Sequence, residues 1–148
     1  MLTVIIDART EHQRLPALLT QLTAGAVDGI VRQVLIVAAP DQPGIDDLCE
    51  ESGATAHTTL EAAAGAARAE WVVVLPADLR LRDGWIGALN GHMERSGRRA
   101  LVTGFADGGL FGRKPFGVLV ERGRLADGEG ADLKGLRREL GLNPRRAG

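Results

Sequence analysis

Two hydrophobic periods alternate along this chain, and the alternation restricts its architecture more than any other feature. Leu2-Thr-Val-Ile-Ile6, Gln33-Val-Leu-Ile-Val-Ala38 and Trp71-Val-Val-Val-Leu75 are short, nearly continuous apolar runs rich in β-branched residues. Such runs suit strands covered on both faces. Between them the apolar spacing changes. Leu15, Leu18, Leu19 and Leu22 recur at three- and four-residue steps, predicting an amphipathic helix to about Ala26 with Gly29 as its stop. Pro40, Pro43 and Gly44 punctuate a loop before a second helix around Asp46 to Ser52. Ala54 to His57 reads as a short strand, Leu60 to Ala69 as an Ala-rich helix, and Trp85, Ile86, Leu89 and Met93 mark a helix opened by Asp83-Gly84. Parallel neighbours require crossover helices, so this βαβα order predicts an α/β fold, an α/β/α sandwich on a mostly parallel central sheet.

The second half is less regular. Residues 99–103 read as one more strand, and beyond Ala106 glycine is dense and apolar residues come in short bursts (Leu110-Phe111, Phe116, Val118-Leu-Val120) that suit one or two short strands or a hairpin. A last helix is expected from Ala131 to Leu140, followed by a frayed tail, Asn143-Pro-Arg-Arg-Ala-Gly148. No internal repeat or linker interrupts the 148 residues, so a single domain, 1–148, is expected.

Composition excludes several classes. The formal net charge of −1 supplies no global field toward nucleic acid or anionic lipid, and with no Tyr, three Phe and two Trp the chain lacks the stacking aromatics of single-stranded nucleic-acid grooves. Cys49 is the only cysteine, so it forms no intramolecular disulfide and no Cys-rich zinc site. It reads as structural filler in a reducing compartment. The apolar runs are far shorter than the ~20 residues of a membrane-spanning helix, and Met1 leads directly into a strand with no basic n-region. A soluble, unexported, cytoplasmic chain with no integral membrane segment and no nucleic-acid partner is expected.

In open α/β sheets ligands bind beyond the carboxyl ends of the strands. That rule selects Asp7-Ala-Arg-Thr-Glu11, Ala38-Ala-Pro-Asp-Gln-Pro-Gly44 and Pro76-Ala-Asp78. Asp7 and Asp78 either cap their loops by accepting from backbone N–H groups, or accept from a ribose or base or hold a divalent cation through hard oxygen ligands. Arg9 and Arg14 either reach a phosphate or are solvated at a helix start. Asp41-Gln-Pro-Gly44 is most simply a turn capping the next helix. His12, His57 and His92 have no zinc-ligand spacing, and neither GxSxG nor GxxxxGK[ST] occurs.

In order and spacing these pieces resemble the nucleotide-binding half of family 2 glycosyltransferases with the GT-A fold. The family's opening V-I-I-P-A-x-N-E is matched by Val4-Ile-Ile-Asp-Ala-Arg-Thr-Glu11, and its first helix by Leu15-Pro16-Ala-Leu18-Leu19-Thr-Gln-Leu22. The turn and helix start after its second strand are matched more loosely by Val34-Leu-Ile-Val37 through Gly44. Its segment ending in Ala-Asp is matched by Ala67-Arg-Ala-Glu70-Trp71-Val-Val-Val-Leu75-Pro-Ala77-Asp78, followed by Gly84-Trp85. The likeness spans roughly residues 2–95 and thins through Gly109-Leu-Phe-Gly-Arg113 and Gly128-Glu129-Gly-Ala-Asp132.

The resemblance implies a GT-A-like domain with a nucleotide-binding half at about 1–95, a short degenerate acceptor-side region at about 96–142 and a tail at 143–148. It also implies a sugar transferred from a nucleotide-diphosphate donor to an unknown acceptor. Asp7, Ala8, Arg9, Glu11, Ala38, Ala77 and Asp78 would hold the nucleotide-sugar, Asp78 a Mg²⁺ or Mn²⁺ ion, and Glu129 or Asp132 would be the general base. The chain departs from the family pattern at Ala38 and Pro43, where acids are usual, at Asp7 and Thr10, where Pro and Asn are usual, and at Pro76, which leaves one acid of an Asp-x-Asp pair. Gly130 stands where the family places its catalytic Asp. These departures fit the alternative of a catalytically inactive binding or assembly module on the same fold. Nucleotidyl transfer on a related sheet ranks last, because Asp7-Ala-Arg-Thr contains no glycine for a phosphate loop.

Overall fold

The structure is a computed structural model and describes residues 1–9, 13–95, 100–105, 116–122 and 145–146. Strand β1 (Leu2–Asp7) leads to helix α1 (Leu15–Val27), β2 (Val31–Val37), α2 (Ile45–Ser52), β3 (Thr55–His57), α3 (Leu60–Ala66) and β4 (Trp71–Pro76). There follow β5 (Arg80–Leu81), α4 (Trp85–Arg95), β6 (Ala100–Phe105), β7 (Phe116–Glu121) and β8 (Arg145–Arg146). The sheet runs β3-β2-β1-β4-β7-β6-β5, with β8 paired to β6. β3, β2, β1 and β4 are parallel, and β7 is antiparallel to both β4 and β6. The mostly parallel α/β architecture expected from the apolar pattern is the one observed.

Alternation along the central strands supplies two cores. Leu2, Val4, Ile6, Trp71, Val73 and Leu75 pack on one face with Leu15, Leu18 and Leu22 of α1 and Trp85 and Leu89 of α4. Ile5, Leu35, Val37, Val72 and Val74 pack on the other with Leu60, Ala63 and Ala64 of α3. Burial on both faces explains why β1 and β4 read as unbroken hydrophobic runs. Among the described residues no helix is long and apolar enough to cross a membrane.

Several boundaries differ from the sequence expectation for identifiable reasons. β2 begins at Val31, two residues early, because Leu2 pairs with Val31 and the Leu2 N–H reaches the Ile30 carbonyl at 2.8 Å, although exposed Arg32 breaks the apolar pattern. β5 carries no sequence signal. It is held by antiparallel pairing to β6 and by Gln21 of α1, whose amide donates to the Leu81 carbonyl (3.1 Å) and accepts from the Leu81 N–H (2.9 Å). Arg145–Arg146, expected to fray, pairs parallel with Ala100 and Leu101, because a backbone ladder needs no apolar side chains. The helix expected over Ala131–Leu140 lies outside the described residues.

α3 stops at Ala66 rather than Ala69, and a side-chain network accounts for it. Gln33 donates to the Ala66 carbonyl (3.0 Å) and accepts from the Arg68 N–H (3.0 Å) and the Thr3 hydroxyl (2.9 Å), while the Thr3 oxygen accepts from the Ala69 N–H (3.2 Å). The backbone groups of Ala66, Arg68 and Ala69 are thereby satisfied without another helical turn, and the chain is delivered into β4. Thr3 is fully buried. Thr3→Val keeps the shape and strands the buried Ala69 N–H, so it is expected to lower unfolding free energy by about 1–3 kcal/mol. Thr55→Val, on an exposed edge strand, should stay within about 0.5 kcal/mol in the same urea titration.

Candidate functional site

The parallel ladder brings four strand ends to one edge. The Ala8 N–H donates to the Val37 carbonyl (2.8 Å), Ala38 N–H to the His57 carbonyl (2.9 Å) and Ala77 N–H to the Asp7 carbonyl (3.2 Å). The tips of β1, β2, β3 and β4 are thus joined by backbone bonds, and six of the positions selected from sequence, Asp7, Ala8, Arg9, Ala38, Ala77 and Asp78, lie together at this edge. Glu11, Glu129 and Asp132, with Thr10, His12 and Gly130, lie outside the described residues.

Asp7 carries a partner the sequence did not reveal. Arg9 Nε donates to Asp7 Oδ1 (3.0 Å) and Nη2 to Oδ2 (2.8 Å), a two-point ion pair, and the Arg9 backbone N–H also reaches Oδ1 (3.3 Å). The side chains are 18% (Asp7) and 31% (Arg9) exposed, so the pair adds little stability. Its effect is electrostatic: the carboxylate charge at the β1 tip is already matched. Asp78 differs. It sits in the turn closed by Leu79 N–H to the Pro76 carbonyl (3.3 Å), two residues beyond Pro76, which is in register with Asp7. It is half-buried, and its carboxylate makes no hydrogen bond or ion pair among the described residues.

Between β1 and β2 the site contains a residue that sequence reasoning missed. Gln42 Nε2 donates to the Ala8 carbonyl (2.8 Å), Gln42 Oε1 accepts from the Ala39 N–H (2.9 Å), and the Gln42 N–H closes the turn onto the Ala39 carbonyl (3.2 Å). Pro40 and Asp41 occupy the turn's centre, and Asp41 has a φ of 61°, the left-handed conformation such a turn needs at its third position. The turn spans 39–42 rather than the 41–44 expected from sequence, and no side chain of it caps α2. Pro40 ahead of an Asp was the available signal. Gly44, with φ 82°, occupies the N-cap of α2.

Among the described residues no group of three or more His, Cys, Asp or Glu side chains is placed to hold a metal ion. Cys49, half-buried on α2, has its thiol pushed up by burial and by nearby Asp46, which disfavours the thiolate. A groove of about 240 Å³ between α1 and α2, lined by Leu19, Thr23 and Leu48 among others, lies against the helices rather than at the strand tips.

No family model matches the chain, and no curated protein matches it in sequence. Solved structures do match in fold. Mannosyl-3-phosphoglycerate synthase from Rubrobacter xylanophilus superposes with a TM-score of 0.61 over 83% of this chain and 54% of its own, at 16% identity. Glucosyl-3-phosphoglycerate synthase from Mycobacterium tuberculosis, in complex with Mn²⁺, uridine-diphosphate and glucosyl-3-phosphoglycerate, gives 0.54 over 69% of this chain and 42% of its own, at 18% identity. The fold is GT-A-like. The chain spans about half the length of these two synthases. A 4-diphosphocytidyl-2C-methyl-D-erythritol synthase matches at 0.62 over 99% of this chain and 88% of its own, at 13% identity. The GT-A-like sheet is therefore shared with a diphosphocytidyl synthase as fully as with the sugar synthases, although nucleotidyl transfer ranks last on sequence.

Proposed function

We propose that this chain binds a nucleotide-diphosphate sugar across the tips of β1, β2 and β4 and, as a family 2-like glycosyltransferase of the cytoplasm, passes the sugar to an acceptor. The observation that carries the reading is the convergence of Asp7, Ala8, Arg9, Ala38, Ala77 and Asp78 at one carboxyl edge of a GT-A-like sheet. Ala8, Ala38 and Ala77 are nearly fully buried and small, which leaves backbone rather than side chains at the mouth. Arg9 offers a guanidinium whose donors suit phosphate oxygens, oriented by its pair with Asp7.

Among the described residues the donor set does not make a resident metal centre, but it fits a cation that arrives with the diphosphate. Asp78 would be the protein ligand, and phosphate oxygens and water the others, an arrangement usual for Mg²⁺. A Mg²⁺ or Mn²⁺ ion held in this way supplies charge stabilisation to the departing diphosphate. Asp78 orients the diphosphate end of the donor, the strand tips exclude water from its nucleoside end, and Glu129 or Asp132 takes the acceptor proton.

The second reading, an inactive binding or assembly module, is favoured by Ala38 and Pro76, neither of which offers a polar side chain at its strand tip. Calorimetric titration with uridine, guanosine and cytidine diphosphates and their sugars, with and without Mn²⁺, separates the two. Saturable, Mn²⁺-dependent heat followed by sugar release supports the transferase. Binding without turnover supports the module, and no heat with any nucleotide rules out the nucleotide site.

A further inference from the structure

We propose that the Gln42 carboxamide holds the place of a nucleobase edge between β1 and β2, and that a base is read there by displacing it. The inference rests on the nucleotide-binding reading above and goes beyond it by naming the residue that controls access to the base site. It follows from the hydrogen-bond pattern of the ladder. In a parallel pair each residue donates to one neighbour on the facing strand and accepts from the residue two further along. Ala8 N–H donates to the Val37 carbonyl, so the next rung would run from the Ala39 N–H to the Ala8 carbonyl. That rung is not made directly. The Gln42 amide stands in it, its oxygen accepting from Ala39 N–H at 2.9 Å and its nitrogen donating to the Ala8 carbonyl at 2.8 Å. The two strands splay at this point, and the gap is bridged by one planar group that presents an acceptor beside a donor.

A lactam base presents the same pair. The ring N–H of uracil or guanine, next to its exocyclic carbonyl, is chemically a cyclic amide, with the donor and acceptor on adjacent atoms as in the glutamine side chain. Ala8 is fully buried and Ala38 is 4% exposed, so the Ala8 carbonyl has no ready access to water and must keep a partner. Exchange of one amide for another keeps both backbone groups satisfied, whereas simple withdrawal of Gln42 does not. The same geometry explains how a base is read at a β2 tip that carries Ala38 instead of an acid: both contacts are to backbone. Gln42 itself is half-buried on a turn that touches solvent, so its side chain has somewhere to go.

The test compares uridine and guanosine diphosphates with inorganic pyrophosphate on the full chain, by calorimetry with Mn²⁺. Gln42→Ala removes the competitor, and affinity for both nucleotides is expected to rise about five- to tenfold, the equivalent of roughly one or two net hydrogen bonds, with pyrophosphate unchanged. Gln42→Ser also removes the amide, and its short polar side chain suits the turn, so it should shift affinity in the same direction even if the alanine variant folds poorly. In the wild-type chain the Gln42 side-chain amide protons should lose their exchange protection on saturation with uridine diphosphate. Unchanged or weaker nucleotide binding in both variants, with those protons still protected, overturns the placeholder and leaves the nucleotide site standing. No nucleotide binding by any of the three proteins overturns both.

Discussion

Gly117→Ala is expected to lower the unfolding free energy by about 3 kcal/mol and the melting temperature by roughly 10 °C. Gly117 lies in β7 between β4 and β6, opposite Val102. A Cβ there would collide with Leu75 Cδ2 and come within 2.9 Å of the Val74 carbonyl oxygen. Leu75 can rotate, but the Val74 carbonyl belongs to a strand buried on both faces and cannot yield without disturbing the β4–β7 ladder. Gly117→Val adds two more carbons at the same point and should leave no folded protein. Gly25 provides the graded comparison. Its Cβ would meet Trp85 Cη2 at 2.6 Å and Val31 Cγ2 at 2.7 Å, both side-chain ends, so Gly25→Ala should cost about 1–2 kcal/mol. Gly65, exposed in α3 with nothing within 4 Å of a new Cβ, should show the opposite sign, with Gly65→Ala stabilising by about 0.5–1 kcal/mol. Thermal and urea melts of the three alanine variants check the order.

The same contrast between what a residue touches and what its neighbours in sequence suggest decides how much of the fold is legible beforehand. β1 and β4 are legible because both of their faces are buried, so nearly every residue from Leu2 to Ile6 and from Trp71 to Leu75 is apolar. α1 is legible because one leucine stripe meets one sheet face. The end of α3 is not, since Ala67 and Ala69 are good helix formers and are withheld from the helix by Thr3 and Gln33, which are distant in sequence. β5 and β8 are invisible for a different reason. Each is two residues long and owes its conformation to the free edge of β6.

The candidate site divides along the same line. That Asp7, Ala8, Ala38, Ala77 and Asp78 share one edge is legible, because it depends only on the order of strands and helices. The Asp7–Arg9 pair and the Gln42 bridge are not. Arg9 is two residues from Asp7, a spacing that in a loop has no fixed geometry, and Gln42 is bonded to a carbonyl 34 residues away.

On the proposed function, that local pairing leaves Asp78 as the carboxylate for the cation, and Asp78→Asn is expected to weaken Mn²⁺-supported binding of uridine diphosphate by about 100-fold, or roughly 2.7 kcal/mol. The side chain keeps its shape and loses its charge. Two nearby groups are in position to compensate, and neither can. Asp7 has both oxygens engaged by Arg9 at 3.0 and 2.8 Å, so its charge is spent on a guanidinium, and Pro76 carries no donor atom. Folding should be spared, because the Asp78 carboxylate is half-buried and makes no hydrogen bond or ion pair among the described residues. The melting curve should therefore move by less than the equivalent of about 0.5 kcal/mol. In EDTA the order should reverse, with Asp78→Asn binding uridine diphosphate somewhat more tightly than the wild-type chain, since a carboxylate only repels the diphosphate when no cation stands between them. Asp7→Asn makes the contrast sharper. It removes a negative charge from the tip, so binding in EDTA should strengthen while the Mn²⁺ requirement falls. If Asp78→Asn binds as well as the wild-type chain in Mn²⁺, no cation is held at the β4 tip. The diphosphate charge would then have to be met by arginine alone.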